Sequence, residues 1–237
     1  MLTSEQTKQY HDEGYILLTS VFDDTDLAEW RREADRLEAI VAPPEPDKPR
    51  LQVEPEPDGG KAKLRMIEPL IDLSPVYREL SEDPRVLECV ESIYEEPAFL
   101  FEDKMNYKPA RVGSGFPLHQ DYSYWQEFSE KLLSVFIHID DAPLETGCMK
   151  LIPGTHRMGL LPVKEDGHCI RTDAVDWDQM RTFESQAGDV LIFHCLTAHE
   201  SDPNYSDTDR RAFVLSYNPQ SDGNQYRYDD EVLASYH

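Results

Sequence analysis

The sequence predicts a mainly β fold with flanking helices, the helices first and a β-sandwich or barrel after them. Three observations carry that expectation. Beyond about Pro97, strand-like apolar runs follow one another, most of them separated by Gly or Pro turns. Before that point the apolar residues recur every three or four positions instead. The 17 prolines and 11 glycines among 237 residues favour many turns over a helical bundle. The length fits one domain with one core: a helical part to about residue 96, a barrel from about 97 to 219 and a tail from about 220 to 237.

From the N-terminus, Thr3 and Gln6 have the spacing of a capping box for a short helix ending at Gly14. "YILLTSVF" follows as a brief strand. Asp24 or Thr25 is placed to cap the next helix, whose Leu27, Trp30, Ala34 and Leu37 form one apolar stripe. Proline, acid and glycine in "APPEPDKPRLQVEPEPDGG" oppose regular structure, so residues 43–60 are expected as an exposed loop or flap. From Asp83, the spacing of Val86, Leu87, Val90, Ile93 and Tyr94 marks another helix. The strands then read "AFLFEDKMNY", "LLSVFIHID", "CMKLIP", "RTFES", "DVLIFHCL" and "RAFVLSYN", with acid-rich "KEDGHCIRTDAVDWDQ" as an inserted loop.

Composition narrows the partners. With 47 acidic against 23 basic residues, the net charge of −24 repels nucleic-acid phosphates and anionic lipid. No apolar run approaches the roughly 18 residues of a membrane span, and "MLTSEQTKQY" lacks a signal pattern. The four cysteines, 89, 148, 169 and 195, form no C-x-x-C pair. A cytoplasmic protein with reduced thiols is expected, acting on a small molecule, binding neither nucleic acid nor membrane, as monomer or homodimer.

The stretch "PLHQDYSYW" holds the candidate chemistry. In a strand, His119 and Asp121 point to one face and offer an imidazole nitrogen and a carboxylate oxygen to the same ion. A third ligand from a distant strand would complete the two-histidine, one-carboxylate triad typical of non-haem Fe(II) oxygenases. The motif alone is weak. With 8 histidines and this many acids, chance supplies about 1.6 His-x-Asp/Glu matches. Three occur: His11-x-Glu13, His119-x-Asp121 and His138-x-Asp140. His11 falls in a polar helix; His138, alternating with Phe136 and Asp140, competes with His119.

Four blocks in order decide between them: "MNYKPARVGSGFPLHQDYSYW", "ETGCMKLIPGTH", "AGDVLIFHCLTAHES" and "HESDPNYSDTDRRA". Through these the chain resembles the phytanoyl-CoA dioxygenase family of Fe(II)/2-oxoglutarate oxygenases, from "YHDEGYILL" to "RRAFVLSYN". The resemblance implies a double-stranded β-helix, the jelly-roll or cupin-like barrel, supported by the N-terminal helices. It implies His119, Asp121 and His199 as ligands of Fe(II), with His194 left to packing and His156 structural. It implies 2-oxoglutarate and O2 as cosubstrates, and hydroxylation of a small metabolite with release of succinate and CO2. The carboxylate of Asp121, where halogenating relatives carry a small residue, agrees with hydroxylation.

Further roles follow by position. The distal carboxylate of 2-oxoglutarate needs a buried cation, and arginine offers it two parallel hydrogen bonds. Arg210 and Arg211 are strand neighbours, so one faces in and one out; alternation alone leaves the choice open, and the family's spacing selects Arg210. Ser201 matches a residue bonded to the cosubstrate. Lys104 stands where the family often has methionine, and Phe136 where it often has tryptophan; Arg65 matches a basic residue closing over the cosubstrate. Trp125, Tyr122 and Asn106 are expected at the substrate, with Tyr122 and Tyr124 on one strand face. The chain's acidity favours a neutral or cationic substrate, such as an amino acid derivative or natural-product intermediate. A cupin-like isomerase or hydrolase without 2-oxoglutarate, or a non-catalytic binding protein on the same barrel, are the competing readings.

Overall fold

The structure, a computed structural model, describes residues 1–41, 50–54, 62–228 and 233–234. Helix α1 (Ser4–Glu13) starts with the reciprocal capping box of Thr3 and Gln6 and ends at Gly14, whose φ of 83° suits a residue without Cβ. Strand β1 (Tyr15–Leu18) follows. Helix α2 (Asp24–Ile40) is capped by Asp23 rather than by Asp24 or Thr25, because the Asp23 carboxylate reaches both the Thr25 and Asp26 amides. Its Leu27, Trp30, Ala34 and Leu37 are buried as the stripe requires.

The proline-acid segment is not wholly irregular. Leu51–Glu54 form strand β2, which pairs antiparallel with β3 (Lys63–Ile67). Four residues between prolines are too few to show a period, which hides β2 in the sequence. Residues 43–49 and 55–60 of the expected flap lie outside the described residues. Helix α3 (Pro75–Ser81), capped by Ser74, precedes α4 (Pro84–Tyr94), capped by Asp83.

The remaining strands are β4 (Ala98–Lys108), β5 (Phe116–His119), β6 (Leu133–His138), β7 (Met149–Leu151), β8 (Arg181–Phe183), β9 (Val190–His194), β10 (His199–Ser201) and β11 (Arg210–Pro219). They form two antiparallel sheets. The seven-stranded sheet runs β1-β9-β6-β11-β4-β3-β2 and the four-stranded one β5-β10-β7-β8. This is a jelly-roll, and side-chain alternation divides its large sheet cleanly. Leu133, Val135, Ile137, Phe213, Leu215 and Tyr217 face outward and pack on Trp30, Leu37, Tyr77 and Val90 of the helices in one core. Phe136, Ala212 and Val214 face inward and meet Met149 and Leu151 of the small sheet.

The insertion near 163–179 closes on itself through a bridge between Val163 and Ile170 and is tied to the barrel by one between His119 and Cys169. No helix among the described residues is long and apolar enough to cross a membrane.

Gly147 tests this packing. It sits at φ 73°, and a Cβ there would lie 2.0 Å from the Asp202 carbonyl oxygen. Gly147→Ala is expected to cost at least the about 1–3 kcal/mol of positive-φ strain, read from urea unfolding; an unchanged midpoint would contradict the close approach.

Candidate active site

His119 closes β5, and its ladder partner on β10 is His199. That register alone places the two rings 4.2 Å apart between centroids. The chain then leaves the strand. Asp121–Tyr124 form a 3₁₀ turn, which swings the Asp121 carboxylate toward both rings. Its Oδ1 lies 3.6 Å from His119 Nε2 and 3.5 Å from His199 Nε2. One ligand atom from each of the three residues falls within 4.8 Å of the others, a grouping able to hold a metal ion. The side chains are 13%, 14% and 6% exposed for His119, Asp121 and His199, so the donors are shielded but reachable.

Each donor is oriented by a second bond. His119 Nδ1 lies 2.7 Å from the Pro117 carbonyl and His199 Nδ1 2.9 Å from that of Thr197. As N–H donors there, both rings keep the Nε2 lone pair for a metal. Ser134 of β6 donates to Asp121 Oδ2 at 2.7 Å, leaving Oδ1 toward the histidines. Burial alone would raise the Asp121 pKa, but His199, His119 and then Lys104 outweigh it and hold the carboxyl well below its usual range. Burial, then the His119 charge, lower His199 to about 4 against the pull of Asp121. A carboxylate facing two imidazoles is a donor set that fits ferrous iron.

The competing motif does not converge. Asp140 turns to Arg31 and Arg211, while His138 is fully buried on β6. His194 accepts the Leu196 amide, and His156 contacts the His11 carbonyl, both at packing positions.

A cavity of about 420 Å³ opens on the triad. At one end lies Arg210, 2% exposed, its Nε and Nη2 without any hydrogen-bond partner and its guanidinium 5.3 Å from the Phe136 ring. Burial lowers its pKa to about 10, which leaves it cationic at neutral pH. Its neighbour Arg211 faces out, paired with Asp140 and Asp35. An unpartnered buried guanidinium beside an apolar wall fits the distal carboxylate of 2-oxoglutarate. Ser201 also lines the cavity; its hydroxyl accepts from Lys108 Nζ at 2.8 Å and keeps its own O–H to donate.

The other end is charged. Lys104 and Arg227 both pair with Glu102, and Arg227 Nη1 lies 3.7 Å from Glu68 Oε1. All four line the cavity. Lys104 is thus committed to Glu102 rather than free for the cosubstrate. Arg65 lines the cavity too, but pairs with Glu54, donates to the Gly115 carbonyl at 3.2 Å and stacks on Phe116.

Trp125 and Asn106 line the cavity, and Trp125 packs edge-on against Phe101. Tyr122 does not: its ring joins Phe101, Leu132 and Leu196 in a separate core cluster. The 3₁₀ turn abolishes strand alternation after Gln120, so it separates Tyr122 from Tyr124. Tyr124, half exposed, takes the cavity edge and stacks on His168 of the insertion at 4.0 Å. Ser134, Lys108, Glu68 and Glu102 escape sequence reasoning, since each acts through a partner from another strand or loop.

Removing any triad residue as alanine is expected to weaken Mn(II) binding by at least about 100-fold, read by anaerobic calorimetry. Binding that survives in all three and is lost in Asp140→Ala would assign the metal to the other His-x-Asp. A pH effect follows from two buried histidines outside the triad. Burial, then Arg210, lowers His138 to about 3; burial, then His156 and His11, lowers His194 to about 4. Below pH about 6.5 the unfolded chain takes up protons that these folded rings refuse. Stability is therefore present above that pH and falls on acidification toward 4, by roughly 2 kcal/mol per ring between pH 7 and 5. Unfolding free energies flat over that interval would contradict it.

Residues 10–212 match the family described as phytanoyl-CoA dioxygenase (PhyH). A methylphosphonate hydroxylase of Gimesia maris is 29% identical over 224 residues, 94% of this chain and 83% of that one. An ectoine dioxygenase of Bordetella bronchiseptica is 26% identical over 92% of this chain and 75% of its own. Among solved structures, EctD from S. alaskensis with bound Fe superposes with a TM-score of 0.79 at 23% identity, covering 100% of this chain and 84% of that chain, a likeness of fold. With the family matched along most of its length and the triad in place, the chain belongs to the phytanoyl-CoA dioxygenase family of Fe(II)/2-oxoglutarate-dependent dioxygenases.

Proposed function

We propose that this dioxygenase hydroxylates a C–H bond of a small charged metabolite, such as an amino acid derivative, with conversion of 2-oxoglutarate to succinate and CO2. The observation that carries the reading is one cavity holding both the His119, Asp121 and His199 donors and the unpartnered Arg210. Ferrous iron, when bound by the three donors, supplies activation of O2 coupled to decarboxylation of 2-oxoglutarate. Arg210 takes the far carboxylate of the cosubstrate, and the Ser201 hydroxyl donates to it. Phe136, Met149, Phe193 and Val214 wall that end and exclude water. His119 and His199, fixed through Nδ1, hold their lone pairs in place, and Ser134 keeps Asp121 turned to them.

The substrate would lie at the opposite end, against Trp125, Tyr124 and the Glu68, Glu102, Lys104 and Arg227 wall. Two cations and two carboxylates there balance one another, so the chain's net charge of −24 does not describe the cavity. This widens the expected substrate from neutral or cationic molecules to those carrying both signs. The relatives' substrates, by their names methylphosphonate and ectoine, are small molecules. Action in the cytoplasm, as monomer or homodimer, goes with this reading; the four cysteines are free thiols.

Succinate formation from 2-oxoglutarate after anaerobic loading with Fe(II) and admission of O2 tests the reading. The unmodified protein is expected to form it, Asp121→Ala to form none, and Arg210→Ala to need about 100-fold more 2-oxoglutarate or beyond. Succinate formed equally by all three would overturn the assignment.

A further inference from the structure

Beside Arg210, buried behind the Phe136 wall of the cavity, stands a polar side chain that none of these roles uses. His138 is the last residue of β6, and its partner across the ladder is Ala212 of β11. It therefore shares the inward face with Phe136, two residues earlier, and flanks Arg210, two residues before Ala212. The His138 and Phe136 rings are 5.1 Å apart, and Arg210 lies over the same Phe136 ring. On the other side of Ala212 stands Asn106 of β4. Ala212 is small, which leaves the space above it to its neighbours.

All three flanking side chains carry unsatisfied polar atoms. His138 is 0% exposed, and neither Nδ1 nor Nε2 has a hydrogen-bond partner. Arg210 Nε and Nη2 and Asn106 Oδ1 share that condition. Buried polar atoms without partners cost free energy, and their gathering in one place marks where a polar ligand belongs. The ligand must match the donors present. Burial, then the Arg210 charge, keeps the His138 ring neutral, with one N–H to give. A carboxylate has about four lone-pair positions, two more than the arginine fork fills.

We propose that His138 donates a ring N–H to the distal carboxylate of 2-oxoglutarate beside Arg210, and so helps to select a cosubstrate with that group. The proposal rests on the reading of Arg210 as the cosubstrate's anchor. It makes this second His-x-Asp histidine a binding residue for the organic acid rather than for the metal.

The test compares 2-oxoglutarate with 2-oxobutanoate, which keeps the chelating end and lacks the distal carboxylate. Calorimetry on the anaerobic Mn(II)-loaded protein gives both affinities. His138→Ala is expected to weaken 2-oxoglutarate about 10-fold or more and to leave 2-oxobutanoate within about twofold. His138→Gln, which retains an N–H donor, is expected to recover most of the loss. Unchanged 2-oxoglutarate affinity in His138→Ala, or equal losses for both ligands, would overturn the proposal while leaving Arg210 as anchor. Full affinity in Arg210→Ala would instead overturn the reading beneath it. Should His138→Ala fail to fold, nitrogen NMR of the unmodified Zn(II)-loaded protein decides. With His138→Gln assigning the signal, 2-oxoglutarate and not 2-oxobutanoate is expected to shift the His138 ring N–H; a signal unmoved by both contradicts the contact.

Discussion

A carboxylate held between two imidazoles is the constraint on which the rest of this molecule depends. Asp121 faces His119 and His199 at 3.6 and 3.5 Å, with a cation in their midst as the arrangement that satisfies all three. Everything that positions the trio is barrel. The pairing of β5 with β10 sets one histidine opposite the other. The 3₁₀ turn after β5 delivers the carboxylate, and Ser134 from the facing sheet holds its second oxygen. The helices contribute indirectly: they bury the outer face of the large sheet and fix the strands from which Ser134 and Arg210 project.

The cavity separates its charges by task. Arg210 lies over the Phe136 ring with two nitrogens unpartnered, so a carboxylate would gain its attraction there without displacing an ion pair. At the other end Glu102 sits between Lys104 and Arg227, with Glu68 close by. Such a wall has little net field but strong local polarity, which suits discrimination by pattern of charge more than capture of a single ion. Lys108 is the ladder partner of Arg210. Burial and the charges of Arg210 and Arg65 lower its pKa to about 6, and its Nζ lies within hydrogen-bond distance of Ser201 and two backbone carbonyls.

Much of this was legible in the sequence, for physical reasons that differ by element. Capping chemistry located α1 and apolar spacing located α4, because both signals are local. The long strands β4, β6 and β11 were legible because each carries enough apolar alternation to show its period. Strand β2 was not, since four residues flanked by prolines carry no period, and α3, seven residues long, is similarly mute. The triad needed the ordered blocks, because His119-x-Asp121 and His138-x-Asp140 look alike to composition and spacing. Strand parity led to the right face for His119 and failed two residues later, where the backbone turned and Tyr122 went to the core. Glu68 could not be found at all: its meeting with Arg227 depends on the closed barrel and the returning tail.

The most direct measurement is a crystal structure grown without oxygen in the presence of Mn(II) and 2-oxoglutarate. The account predicts one metal ion bonded to His119 Nε2, His199 Nε2 and an Asp121 oxygen, with the far carboxylate of the keto acid on the Arg210 guanidinium. A metal held elsewhere, or a keto acid lying with its tail away from Arg210, would contradict it.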